Sequence, residues 1–342
     1  MMRLSEDALI ATYFSPLAGE GALGLGDDAA FLTPQPGYDL VLTKDMLVAG
    51  VHFFPDDAPQ TIARKLMRVN LSDLAAKGAE PCGFLLGLAL PEGWTSDWLG
   101  DFARGLGDDA TQFHFPLLGG DTVRTPGPLT LSLTALGRVP SGAMVRRHGA
   151  RPGDRLYVTG TIGDAALGLL LRLHRAEDLA WTDALPAEKC TSLLRRYLVP
   201  EPRCGLAPVL RAHARAAMDI SDGLAGDLAK FLQTGVPGAS GSTTARVDLA
   251  AIPLSEAARA VLSLAPERID TIVTGGDDYE ILCAVAPEQC ADFERAARDH
   301  QVPDCKVNVT AIGIVETGQG LPRFFSADGM VRTFPKGSFQ HF

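Results

Sequence analysis

Three places in the chain set glycine against adjacent carboxylates. GLGDDA runs from Gly24 to Ala29 and recurs from Gly105 to Ala110, and GGDDYE spans Gly275 to Glu280. A turn that ends in acids can hold a hard divalent cation, because such ions take oxygen ligands. The contexts differ. The second copy lies in TSDWLGDFARGLGDDATQF, where Trp98, Phe102, Leu106 and Asp109 recur at helical spacing. Adjacent acids on a helix diverge, so this copy is expected to be a solvated helix face. The first copy opens a strand from a loop, where carboxylates can converge, or else is an ordinary polar turn.

Other acids sit where acids are costly. Asp45 interrupts the apolar strand DLVLTKDMLV, and Asp121 ends a buried strand after two glycines. Asp219 and Asp222 flank the turn MDISDGL, where a strand passes into a helix whose free N–H groups can hold phosphate. Ile62, Leu66, Val69, Asp73 and Ala76 form one helical stripe, so Asp73 stands on the face to be buried. A buried unpaired carboxylate costs several kcal/mol or takes up a proton. Asp73 therefore needs either an arginine such as Arg68 or a metal shared with Asp28 and Asp45. Carboxylates with no Cys or His pairing suit Mg²⁺ or Mn²⁺ rather than zinc. Such Mg²⁺ commonly neutralises nucleotide phosphates.

Several signals fail. Gly19 to Gly24 matches G-x-G-x-x-G, but it follows a helix and opens none, so it is no dinucleotide fingerprint. There is no Walker A lysine and no G-x-S-x-G elbow. His52 is a lone histidine, and Arg146 and Arg147 either grip phosphate or are merely solvated. The formal net charge of -10 argues against nucleic acid as a partner. The six cysteines form no Cys-x-x-Cys pair and read as reduced packing residues. The acidic N-terminus lacks a signal-peptide core, and GFLLGLAL at 83–90 is too short to span a bilayer, so a cytoplasmic protein without membrane partners is expected.

These acids must be positioned by two domains, the default for 342 residues. Helix 5–17, strands 29–32 and 39–47, helix 59–77, strand 82–90, helix 96–113 and strands 115–121 and 129–137 are predicted. Their order suggests a small sheet with helices on one face. The turn-rich segment 138–154 carries the boundary, giving an N-terminal domain 1–138 and a mixed α/β C-terminal domain 139–342. In the latter, strands at 155–160, 216–220, 271–275, 279–286 and 309–315 alternate with helices at 162–174, 187–198, 203–213, 222–233 and 287–299. A loop spans 235–245.

An ordered set of motifs resembles a known family. GLGDDAAFL, TKDMLVAGVHF, NLSDLAAKGAEP, LLGGDTVR, VPSGAMVRRHGARPGD, MDISDGL, TGGDDYEI and the terminal KGSFQHF follow one another from about residue 22 onward. The set resembles the thiamine-monophosphate kinase family, within the superfamily of aminoimidazole ribonucleotide synthetase. That resemblance implies a homodimer in which the N-terminal sheet pairs with its copy to close a β-barrel, with ATP and several Mg²⁺ near the interface. The C-terminal domain would complete the nucleotide and substrate site. It implies direct transfer from ATP to thiamine monophosphate, with no phosphoenzyme. Carried over by position, it implies Mg²⁺ ligands at Asp28, Thr43, Asp45, Asp73, Asp121, Asp219 and Asp222. ATP contacts fall on Gly120, Asp121, Arg147 and Ser221, and substrate contacts on His52, Asp277 and Phe339. The thiazolium is a cation, which suits an acid and an aromatic face.

The chain departs from the family pattern at five places. Lys44 stands where a small hydroxyl residue is usual, Ala49 for a common Glu and Val123 for a common Thr. Asp277 and Phe339 replace the frequent Glu and Tyr. Two rivals stand beside this reading. One is another ATP-dependent synthetase of the superfamily, such as the aminoimidazole ribonucleotide enzyme. The other is a non-catalytic protein that senses metal and nucleotide.

Overall fold

The computed structural model describes residues 6–233, 243–300 and 307–334. The chain forms two compact units. One holds the residues up to Leu74 together with Ala79–Met144, and the other holds Ala75–Gly78 with the residues from Val145 onward.

The first unit opens with α1 (Glu6–Leu9), which short π and 3-10 turns prolong to Leu17. It continues through β1 (Tyr38–Val48), α2 (Pro59–Ala76), β2 (Glu80–Leu90), α3 (Ser96–Gln112), β3 (Leu117–Arg124) and β4 (Thr130–Pro140). Pro59 suits the first turn of α2, where no N–H partner is needed. Gly78 takes φ of 68° just past its end, the left-handed stop that glycine makes cheaply. Thr95 caps α3 by accepting from the Trp98 N–H at 3.1 Å. The sheet order is β1-β4-β2-β3, so β1 and β3 are opposite edges.

Burial alternates strictly along β4, the period-two signature of a sheet with two different faces. Leu131, Leu133 and Ala135 are buried on the face that also carries Phe84, Leu86 and Val41. Helices lie on this side, since Thr43 and Asp45 bond to residues of α2. The other face leaves Leu40, Leu42, Met46, Leu85 and Val123 exposed.

The second unit has a seven-stranded mixed sheet. Its elements are β5 (Arg155–Thr159), α4 (Asp164–Leu173), α5 (Leu179–Thr182), α6 (Ala187–Leu198), α7 (Ala207–His213), β6 (Ala214–Ile220), α8 (Leu224–Leu232) and β7 (Thr243–Asp248). They continue with α9 (Glu256–Leu264), α10 (Ile269–Thr274), β8 (Glu280–Val285), α11 (Cys290–Asp299), β9 (Val309–Thr317), β10 (Arg323–Phe325) and β11 (Val331–Arg332). The strand order is β11-β10-β7-β9-β5-β8-β6. Every residue of β8 is buried, as expected when both faces are covered. Leu156, Val158 and Leu282 enter one core with Leu224 and Phe231. Their neighbours Tyr157, Ile281 and Cys283 enter the other with Leu210 and Phe293.

Four local expectations are corrected. Residues 29–32 form no strand; Phe31 gives one N–H to Gly21, and no ladder partner continues the pairing. TIVTG belongs to α10, because Ile272 and Val273 are fully buried there and packing overrides their β-propensity. Thr243 to Ala245 begin β7 rather than end a loop, while 235–242 lie outside the described residues. The second GLGDDA is on a helix, as its periodicity predicts, but it is not a solvated face. Asp109 is fully buried and bidentate to Arg68, at 2.6 and 2.9 Å. Asp108 is the solvated member, paired with Arg64 at 2.6 Å.

Candidate functional site

The predicted ligands fall into three groups. The first lies under α2 at the β1 edge. Strand alternation turns Thr43 and Asp45 to the helix-covered face, and the α2 stripe turns Asp73 to meet them. Thr43 Oγ1 donates to Asp73 Oδ2 at 2.5 Å, and the Asp45 N–H donates to Asn70 Oδ1 at 3.2 Å. Asn70 is fully buried and was not singled out from the sequence. Burial, and next the charge of Asp73, push the Asp45 carboxyl up to about 7. A carboxylate held beside a second one in this partly buried corner takes up its proton more readily; a divalent ion would offset the repulsion. Arg68, the alternative partner for Asp73, is committed to Asp109.

The second group lies on the open face. Gly19 donates its N–H to the Leu117 carbonyl at 2.8 Å, which lays the glycine-rich loop along β3. A cavity of 740 Å³ results, lined by Asp27, Asp28, Gly119, Gly120 and Asp121. A Cβ at Gly120 would strike the Leu86 carbonyl, so only glycine lets β3 approach β2 here. Lys44 lines the same cavity and donates to Ser132 Oγ at 2.5 Å and Thr134 Oγ1 at 3.5 Å. Asp121 and Asp45 thus stand on opposite edge strands, three strand spacings apart, or roughly 14 Å. One ion cannot bridge them within a chain.

His52 sits in the turn after β1. The Val48 N–H donates to its Nδ1 at 3.0 Å, so in the neutral ring Nε2 carries the proton. The Lys65 ammonium fixes the His52 carbonyl at 3.0 Å.

The third group belongs to the second unit. Asp219 is the penultimate residue of β6, and the Ser221-Asp222 turn precedes α8. The GGDDYE turn is hooked to it: Asp277 N–H donates to Ser221 O and Tyr279 N–H to Ile220 O, both at 2.8 Å. A Cβ at Gly276 would lie 2.5 Å from the Ser221 carbonyl, so the contact requires glycine. Asp277 and Tyr279 adopt positive φ of 71° and 50°, a strain that the surrounding bonds hold in place. The Arg146 carbonyl accepts from the Ala217 N–H at 3.0 Å, which brings the Arg146-Arg147 segment beside β6; Arg147 itself is exposed. Phe339 lies outside the described residues.

Several acids that sequence reasoning passed over are built into this unit. Asp227 accepts from the N–H groups of Ser221 and Asp222, and Lys230 bonds to both Asp222 and Asp227. Asp278 accepts from the Gly163 N–H at 2.8 Å and is fully buried; burial pushes its carboxyl well up. Glu280 is also buried. Burial alone would raise its carboxyl, but Arg203 and then Arg196 hold it below the usual range. Asp227 had a visible signal: it shares a helical stripe with Leu224, Leu228 and Phe231.

Among the described residues no group of three or more His, Cys, Asp or Glu side chains is placed to hold a metal ion by itself. Hard oxygen donors, a raised carboxyl at Asp45 and an ammonium standing on Asp222 nevertheless fit Mg²⁺. This ion usually takes one or two carboxylates and completes its shell with water and phosphate.

Residues 26–139 match the family model of the AIR synthase related protein N-terminal domain, and residues 151–321 match its C-terminal domain. The chain is 47% identical over 307 residues to a thiamine-monophosphate kinase of Caulobacter vibrioides, covering 89% of this chain and 81% of that one. A crystal structure of thiamine-monophosphate kinase from Stenotrophomonas maltophilia K279a superposes with a TM-score of 0.78 at 38% identity, covering 97% of this chain and 99% of the other. A structure of AaThiL complexed with AMPPCP and TMP gives 0.73 at 27% identity, covering 100% and 99%.

Proposed function

The chain belongs to the thiamine-monophosphate kinase family, and we propose that it transfers the γ-phosphoryl group of ATP to the phosphate of thiamine monophosphate, giving thiamine diphosphate and ADP. The observation that carries the chemistry is the Thr43, Asp45 and Asp73 cluster, three oxygen donors in one partly dry corner. Mg²⁺, when bound, screens the repulsion between two phosphate chains. Asp28, Thr43, Asp45, Asp73, Asp121, Asp219 and Asp222 are its proposed ligands. Gly120 and Ser221 bring backbone close to the nucleotide, and Arg147 supplies an exposed positive charge. His52 contacts the substrate, while Asp277 and Phe339 face the thiazolium. Transfer is direct, so no side chain is phosphorylated. A cytoplasmic setting follows from this metabolic role; among the described residues no helix is long and apolar enough to cross a membrane.

Homodimerisation is part of the reading. The exposed row of Leu40, Leu42, Met46, Leu85 and Val123 is an apolar sheet face that a second copy would cover, closing a β-barrel. Closure about a two-fold axis along the barrel sets β1 of one copy beside β3 of the other. Asp45 of one copy would then work with Asp121 of its neighbour. Incubation with ATP, Mg²⁺ and thiamine monophosphate should give thiamine diphosphate and ADP together, and only with metal. Intact ATP binding with no product would move the search to other phosphorylated substrates. Mixing inactive Asp45→Asn and Asp121→Asn chains should restore activity, because one of the two sites in each mixed dimer is then wild type. No recovery, with mixed dimers demonstrated, would place both acids in the same site of one chain.

A further inference from the structure

The turn that carries Asp219 and Asp222 is shaped by two residues of α8 that have no assigned role. Asp227 is 1% exposed and lies on the apolar stripe of its helix. Its Oδ2 accepts from the Ser221 N–H at 3.0 Å and from the Asp222 N–H at 2.8 Å. Its Oδ1 accepts from Lys230 Nζ at 3.0 Å, and the same ammonium donates to Asp222 Oδ2 at 2.5 Å. A buried carboxylate is costly unless paired, and this one is satisfied by the two amides and one cation that surround it. The backbone of the turn is therefore fixed by the side chain of the helix that follows.

Lys230 and Asp222 are about equally accessible, with 37% and 36% of their side chains exposed. Lys230 can leave Asp222 for solvent by rotating its own stem, without moving the backbone. Asp227 has no such freedom. The two residues thus differ in kind: one is a fixed template and the other a replaceable counter-ion.

We propose that Asp227 and Lys230 are positioning residues for metal capture: Asp227 sets the Ser221-Asp222 turn, and Lys230 neutralises Asp222 until a divalent cation takes its place. The inference rests on the reading of Asp222 as a metal ligand. Residues that orient a ligating group from behind cost about 10- to 100-fold in metal affinity when they are changed. Asp227→Asn keeps the size but not the charge, and is expected to weaken Mn²⁺ binding within that range. Lys230→Met removes a competing cation a few ångströms from the ligand oxygen. It should strengthen Mn²⁺ binding by about fivefold. Lys230→Arg should restore the wild-type value.

The test is Mn²⁺ titration of the full chain by calorimetry, alone and with the non-hydrolysable nucleotide AMPPCP, with a thermal melt of each variant. Opposite shifts for Asp227→Asn and Lys230→Met, at melting temperatures that show folded protein, support the proposal. If Asp227→Asn does not fold, the sign for Lys230→Met and its reversal by Lys230→Arg decide alone. Unchanged or weakened binding in Lys230→Met overturns it. Absence of Mn²⁺ binding to the wild type in both titrations also overturns it. A separate assay for thiamine diphosphate distinguishes that failure from failure of the kinase reading.

Discussion

The acids of the two units are handled in opposite ways. Under α2, Asp45 and Asp73 share a corner with the neutral groups Thr43 and Asn70, and Asp45 responds by binding protons more tightly. Beside α8, Asp222 and Asp227 share Lys230. The first cluster stores repulsion that a cation relieves. The second already holds a cation, so an incoming ion must compete. On the proposed reading of both clusters as metal sites, ions should fill the first before the second.

The largest expected effect tests whether both clusters serve the same reaction. Asp73→Asn and Asp222→Asn should each lower turnover at least about a thousandfold, the scale of losing electrostatic stabilisation at a reacting phosphate. Circular dichroism should show both variants folded. Full activity in either would remove its cluster from the mechanism.

A second contrast uses the repeated GDDA of α3, where adjacent acids differ in burial. Asp109→Asn breaks a buried ion pair and should cost about 3–5 kcal/mol in urea unfolding. Asp108→Asn breaks an exposed pair and should cost about 0–1 kcal/mol. Equal costs would show that burial does not separate them.

A further effect is a pH dependence. The Asp45 carboxyl is raised from 3.8 to about 7 by burial and by Asp73. Between these values the folded state binds the proton more tightly than the unfolded chain, so stability falls as pH rises. Metal-free protein should therefore melt at progressively lower temperature from about pH 4 to pH 7. Asp45→Asn should lose this component. Mg²⁺ at pH 8 should raise the melting temperature of the wild type more than that of Asp45→Asn, and equal gains would sharpen the comparison toward the second cluster.

Much of the candidate site is legible in the sequence as misplaced charge. Asp73 betrayed itself by standing on an apolar stripe, and Asp45 by interrupting an apolar strand. The same rule applied to α8 would have found Asp227. It also placed Asp109 on a stripe, where the acid is in fact buried against Arg68. Periodicity shows that a charge faces the core; it does not say what meets it there. The family resemblance supplied the substrate, which no spacing could have supplied.

The sequence by itself determined the local elements with strong period, the two-layer unit followed by a mixed α/β unit, and the oxygen-only character of the proposed ligands. These depend on neighbours along the chain. Tertiary structure alone decided which acids share a corner, that Asp121 and Asp45 stand on opposite sheet edges, and that Asp277 is locked to Ser221. It also turned TIVTG from strand to helix. The reason is physical: hydrogen-bond register, edge position and burial are set by residues distant in sequence, and a carboxylate's proton or metal affinity follows from that environment rather than from its own identity.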